Sequence, residues 1–168
     1  DHLGRSAAQF DESKQRWVNA EHLKAMSDDA LAPLVAEQLS KRGIAVDDRL
    51  VSICGLFKDR CDTIVALANW AAAFYADVTP SEADREQHIS DAVKPAIASL
   101  AAKLSAVAWD KSSIASAIKE VLSEHGLKMP ALAMPVRVLV MGTPQTPSLD
   151  AVLANFSREK IIERLKRA

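Results

Sequence analysis

The chain has 168 residues, 49% of them hydrophobic and 26% charged, with a formal net charge of −1. That length supports one domain or two small ones, and that balance excludes disorder along the whole chain, which needs low hydrophobicity and high net charge. The near-neutral charge excludes a protein held to nucleic acid by bulk phosphate attraction, while leaving room for a local nucleic-acid site.

No apolar run approaches the roughly 20 residues that span a bilayer, and the first residues carry no signal-peptide pattern. Two cysteines exclude a disulfide-built scaffold. Cys54 and Cys61 lie seven apart, share a face if helical, and read as buried small apolar groups. The chain opens mid-pattern without a Met, so it reads as a piece of a longer protein.

Alanine is abundant and glycine scarce, with five residues; alanine, leucine, lysine and glutamate are the strongest helix formers and few breakers interrupt them, so helix is expected almost throughout. A first helix is predicted from about Ser13 to Ala25. A second starts at Ser27, an N-cap followed by two acids that suit the positive end of the helix dipole. It places Leu31, Leu34, Val35 and Leu39 on one side and stops at Lys41-Arg42-Gly43. A third is expected over about Asp47–Arg60 and a fourth from near Asp62, each with apolar residues at helical spacing.

From Asp77 to Asp91 there are five acids and one base, which reads as a solvated connector and a boundary between subdomains 1–76 and 77–168. Helices resume over about Val93–Val107 and Asp110–His125, the latter closed by Gly126. Residues 127 to 147 hold four of the seven prolines, so an irregular, partly extended segment crossing the helical body is expected there. Two short helices follow, about Leu149–Asn155 and Arg158–Arg167, the second capped by Ser157. The fold class is all-α, in two helical subdomains.

Catalytic and cofactor signatures are missing. The glycines form neither GxGxxG nor a P-loop, the four histidines have no metal-ligand spacing, and there is no GxSxG elbow. Acidic pairs such as Asp47-Asp48 suit a helix start better than an acid–base dyad. Such a chain is expected to bind rather than catalyse.

The last third carries ordered motifs. Lys128-Met129-Pro130, Met134-Pro135-Val136-Arg137-Val138-Leu139-Val140-Met141-Gly142, Thr146-Pro147-Ser148-Leu149 and Arg158-Glu159 through Arg164-Leu165 resemble the C-terminus of bacterial glutamyl-tRNA synthetases, with their P-L-R-x-A-L-T-G, T/G-P-x-L and G-[KR]-E-x-x-x-x-R-L segments. Phe10-Asp11 with Lys14, Trp17 and Asn19 is similar to the family's F-D-x-x-K-x-x-W-x-N. Lys58-Asp59-Arg60-Cys61-Asp62-Thr63-Ile64 is similar to its R-x-R-F-D-T-L. The likeness spans nearly the whole chain. Phe156-Ser157 replaces a Leu-Gly before the last helix, so that turn is expected to be built differently.

The resemblance implies the anticodon-binding region alone, an all-helical cage of two subdomains. The HIGH and KMSKS signatures are absent, so the chain by itself should be inactive and need no cofactor, with ATP and Mg belonging to the parent enzyme. It implies a cytoplasmic protein that binds the anticodon arm of glutamate tRNA, joins an N-terminal catalytic domain of the parent chain and contacts no membrane.

By the family match, Arg60, Arg137, Thr146, Pro147 and Leu149 contact anticodon bases. Arginine offers only donors. It suits the O2 and N3 acceptors of a third-position cytosine and opposes the N1–H and N2–H₂ of guanine, which implies an enzyme that rejects glutamine tRNA. Arg49, Lys58, Lys128 and Arg164 are candidate phosphate contacts. Trp17, Trp70 and Trp109 could stack on bases, but each lies in an apolar helical pattern and is expected to pack in the core. Two other readings remain open: a helical protein-interaction or regulatory module, and the same region of an enzyme that also charges glutamine tRNA.

Overall fold

The computed structural model describes residues 19–168. The chain divides into two compact units, Asp1–Ala76 and Asp77–Ala168. Among the described residues every regular element is helical, as the composition predicted. The start of the first expected helix, with Phe10, Asp11, Lys14 and Trp17, lies outside the described residues.

The first unit holds α1 (19–25), α2 (Asp28–Ser40), α3 (Arg49–Phe57), a single 3-10 turn (Lys58–Arg60) and α4 (Ile64–Ala72). α2 packs against both α3 and α4. Its Leu31, Val35 and Leu39 recur every four residues, which puts them on one face. They are buried with Leu50, Ile53 and Phe57 of α3 and Leu67 and Ala71 of α4. Leu34, expected on that side, is instead exposed. Local chemistry sets the ends. The Ser27 side chain accepts from the Ala30 N–H and Thr63 from the Ala66 N–H, satisfying donors the first turn leaves orphaned.

The second unit holds α5 (Glu82–His88), α6 (Lys94–Leu104), α7 (Lys111–His125), α8 (Met129–Met141), α9 (Leu149–Ala154) and α10 (Arg158–Leu165). α6 packs on α7 and α10, α7 on α9, and α8 touches α5, α6 and α10. The acidic connector is not continuous coil, because α5 forms within it once Ser81 accepts from the Asp84 N–H. α7 ends at Gly126 in the left-handed conformation, φ 62°. Ser157 caps α10 by accepting from the Lys160 N–H. No positive φ is used there, so the turn does without the family glycine.

The proline-rich stretch is the main correction. Met129–Met141 is an α-helix, not an extended crossing, and the irregular parts are residues 127–128 and the stretch 142–148. Pro130 sits in the first turn, where a missing N–H costs nothing. Pro135 does remove the bond to the Ala131 carbonyl, at a residue that is itself exposed. Against this local cost stands burial almost all round. Leu132, Ala133, Val136, Val138, Leu139, Val140 and Met141 are all in the core, and covering such side chains is worth roughly 1.5–3 kcal/mol for each large one.

Two measurements check these local rules. Gly126→Ala puts a Cβ into a left-handed position with open space around it, so only backbone strain of about 1 kcal/mol is added. Ser27→Ala removes a cap worth about 1 kcal/mol. Urea denaturation should show each loss without a change in the slope of the unfolding free energy.

Candidate nucleic-acid interface

In the first unit Arg60 closes the 3-10 turn that follows α3. It is exposed and makes no hydrogen bond or ion pair with the described residues. The residues on either side are held. Cys61 is buried, its backbone N–H donates to the Lys58 carbonyl at 3.2 Å and its Sγ lies 3.5 Å from the Phe57 carbonyl. Lys58 donates to the Met26 carbonyl at 3.1 Å and pairs with Asp28 at 3.0 Å. Beneath the turn, Phe57 stacks on Trp70 at 5.0 Å between centroids, so Trp70 packs against the core as expected.

Arg49 is also engaged internally. It pairs with Asp47 at 2.8 Å and lies over the Tyr75 ring at 5.0 Å, while Tyr75 donates to Asp47 at 2.8 Å. Partial burial works to raise the Asp47 carboxyl. The hydrogen bonds from Tyr75 and Arg49 outweigh it and hold Asp47 below the usual carboxylate range. Burial, with Asp47 alongside, pushes the Tyr75 hydroxyl up.

In the second unit Arg137 projects from α8, one turn before its end, and donates to the Pro147 carbonyl at 3.3 Å. The buried Thr146 hydroxyl donates to the same carbonyl at 2.9 Å. Both lone pairs of that oxygen are therefore occupied, so the backbone of this turn is less free than its irregular shape suggests. Arg137 lines a cavity of about 260 Å³ with Ala115, Ile118 and Lys119 of α7, Met129 of α8, and Ser148, Leu149 and Asp150 at the start of α9. Leu149 is 4% exposed, a core residue at the cavity wall. Met129 is 44% exposed and offers an apolar face. Lys128 is exposed at the start of α8.

Structure thus brings Arg137, the 146–149 turn and Lys128 into one unit, and sets Arg60, Arg49 and Lys58 in the other. Lys119, Met129 and Asp150 are cavity residues that the sequence reading missed. For Lys119 the sequence signal is amphipathic register, since Ala115, Ile118 and Lys119 share one face of α7.

Arg164 cannot reach a phosphate. It is 1% exposed, donates to the Val140 carbonyl at 2.7 Å and sits over the Phe156 ring at 5.1 Å. A guanidinium stays buried when hydrogen bonds and a ring face replace its water. Arg158, which opens the same motif, donates to the Val107 carbonyl and lies over Trp109 at 5.5 Å. The Trp109 indole N–H donates to the Phe156 carbonyl at 2.7 Å. Both arginines of that motif fasten α10 within its unit.

A family profile described as the anticodon binding domain matches residues 19–168. The chain belongs to the anticodon binding domain family. It is 68% identical over 166 residues to a protein named glutamate–tRNA ligase from Albidiferax ferrireducens, covering 99% of this chain and 36% of that protein. A glutamate–tRNA ligase from Paracidovorax citrulli is 64% identical, with all of this chain and again 36% of that protein covered. The chain therefore spans little more than a third of the curated relatives it matches. Among solved structures, a glutamate tRNA ligase from Elizabethkingia meningosepticum superposes with a TM-score of 0.83 at 22% identity, over 90% of this chain and 31% of that one; this likeness concerns the fold.

Among the described residues no group of three or more His, Cys, Asp or Glu side chains is placed to hold a metal, and no helix is long and apolar enough to cross a membrane. Cys54 and Cys61 are buried and unpaired by disulfide, as the sequence suggested. Burial pushes both thiols up from 9.0 to about 11. A folded-state pKa above the unfolded one favours folding while the group stays protonated. That contribution is full below pH 9 and is lost as pH climbs toward 11.

Iodoacetamide at pH 8 should leave both cysteines unmodified in the folded chain and label both in urea; rapid native labelling would contradict their burial. For Arg164→Ala, the Val140 carbonyl loses its donor in the core, so denaturation should show a loss of roughly 2–3 kcal/mol.

Proposed function

We propose that this chain is the anticodon-binding region of a glutamate–tRNA ligase, with each unit contributing one anticodon-binding subdomain. The observation that carries this reading is the family match over 19–168, joined to 68% identity with a protein of that name across 99% of the chain. Glutamylation, with its ATP and Mg chemistry, belongs on this reading to the remaining two thirds of such a protein, and this chain supplies recognition in the cytoplasm.

Anticodon bases lie in a loop, where they can be splayed out, stacked and read on their Watson–Crick edges. Arg60 is the proposed reader of the third anticodon base. It is an exposed guanidinium with no partner among the described residues, so its donors suit the O2 and N3 of cytosine and conflict with the donors of guanine. The second contact is the cavity beside Arg137, whose mixture of Met129, Ile118 and polar groups suits one base face and one base edge. Thr146 and Pro147 act there by holding Arg137 and the turn in place, and Leu149 by forming the wall. Lys128 and Lys119, both exposed, remain for phosphates. Arg49 and Lys58 hold internal partners, and Arg164 is enclosed.

The test is fluorescence anisotropy of a labelled glutamate-tRNA anticodon stem-loop, beside the same loop with its third anticodon base changed from C to G. Binding should favour C by ~1–3 kcal/mol, as for a good bidentate base contact, and should weaken with salt. Equal binding to both would assign the region to an enzyme that also charges glutamine tRNA. No binding to either would remove the RNA reading in favour of a protein-interaction module.

A further inference from the structure

Lys58 and Arg60 share one 3-10 turn but have opposite fates. Arg60 is exposed and has no hydrogen-bond or ion-pair partner among the described residues. The Lys58 ammonium is drawn back across the unit, 3.0 Å from Asp28 and 3.1 Å from the Met26 carbonyl. Both of its partners belong to the corner that leads from α1 into α2, some 30 residues earlier in the chain. Two neighbours place Asp28 beside the turn. It opens α2, where the helix dipole favours a carboxylate, and it leans on Gly55 of α3. A Cβ at Gly55 would meet the Asp28 Oδ2 at 2.4 Å, so glycine is what lets the carboxylate lie across α3 toward Lys58. The far end of the turn is fixed by buried Cys61.

We infer that Lys58, Asp28 and Gly55 form a clamp that positions the Arg60 turn, making Lys58 a positioning residue for anticodon reading rather than a phosphate contact. The inference rests on Arg60 being the reader of the third anticodon base. Its physical basis is preorganisation. An exposed arginine on a free turn must be ordered when it meets a base, whereas one on a pinned turn has lost part of that freedom beforehand. The pair is half-buried, so loss of Lys58 also costs some stability, and the fall in discrimination is read on variants that remain folded.

The two roles for Lys58 make opposite forecasts. A phosphate contact acts on every loop alike, so its loss weakens C and G stem-loops equally and flattens the salt dependence by about one counterion. A positioning residue acts through Arg60. Lys58→Met should then weaken the C loop while leaving the G loop nearly unchanged, so that a C-to-G ratio of about fivefold or more falls to within about twofold. Lys58→Arg, which keeps a cation able to reach Asp28 and the Met26 carbonyl, should restore most of the ratio. Asp28→Asn and Gly55→Ala remove no cation, and each should lower the ratio as Lys58→Met does.

These variants of the 168-residue chain are to be titrated with both stem-loops at two salt concentrations, with circular dichroism melts to select those that fold. Equal losses on both loops with a flatter salt slope, or an unchanged ratio in Asp28→Asn and Gly55→Ala, would overturn the clamp while leaving Arg60 as the reader. A wild-type ratio near one would remove the Arg60 reading itself, and the clamp with it.

Discussion

Short helices must be held by their neighbours. The longest helix among the described residues, Lys111–His125, has 15 residues, and isolated helices of that length are marginal in water. Each unit therefore depends on apolar faces finding partners. α2 does this in the first unit by packing against both α3 and α4. α8 does it in the second, where contact with α5, α6 and α10 sustains a helix that contains a proline. The same burial that stabilises α8 also fixes Arg137 at one wall of the cavity, so the proposed base contact inherits its rigidity from the core.

Electrostatics follow from that packing. The chain is almost neutral, and many of its arginines and lysines are engaged at home. Arg164 and Arg158 serve main-chain carbonyls inside the second unit, Arg49 belongs to the Asp47–Tyr75 cluster, and Arg167 pairs with Asp77 and Glu163. The exposed cations beside the proposed contacts, Arg60, Lys119 and Lys128, then stand out by what they are not doing. Recognition of a few bases needs only a few such groups, provided the backbone beneath them is fixed.

Much of the fold was legible because its signals are local. Ser27, Thr63, Asp110 and Ser157 each accept from the N–H three residues on, and the caps at Ser27 and Ser157 were read from the sequence. Gly43 and Gly126 end helices with the positive φ that only glycine adopts cheaply. The site was less legible. Arg60 and Arg164 are the same residue type, both in helical surroundings, yet one is exposed and the other enclosed. Exposure is decided by neighbours far away in the chain, such as the Val140 carbonyl 24 residues before Arg164.

By itself, then, the sequence determined the all-helical class, most helix ends, the burial of both cysteines and membership of an anticodon-binding family, because periodicity, caps and ordered motifs are all written along the chain. Tertiary structure alone decided that residues 129–141 stay helical through Pro135, that Lys58 reaches back to Asp28 and the Met26 carbonyl, that Arg49 lies over Tyr75, and that Arg164 is enclosed. The reason is common to all of them. Each outcome balances a local preference against contacts from elsewhere in the chain, and only the packed core shows which side prevails.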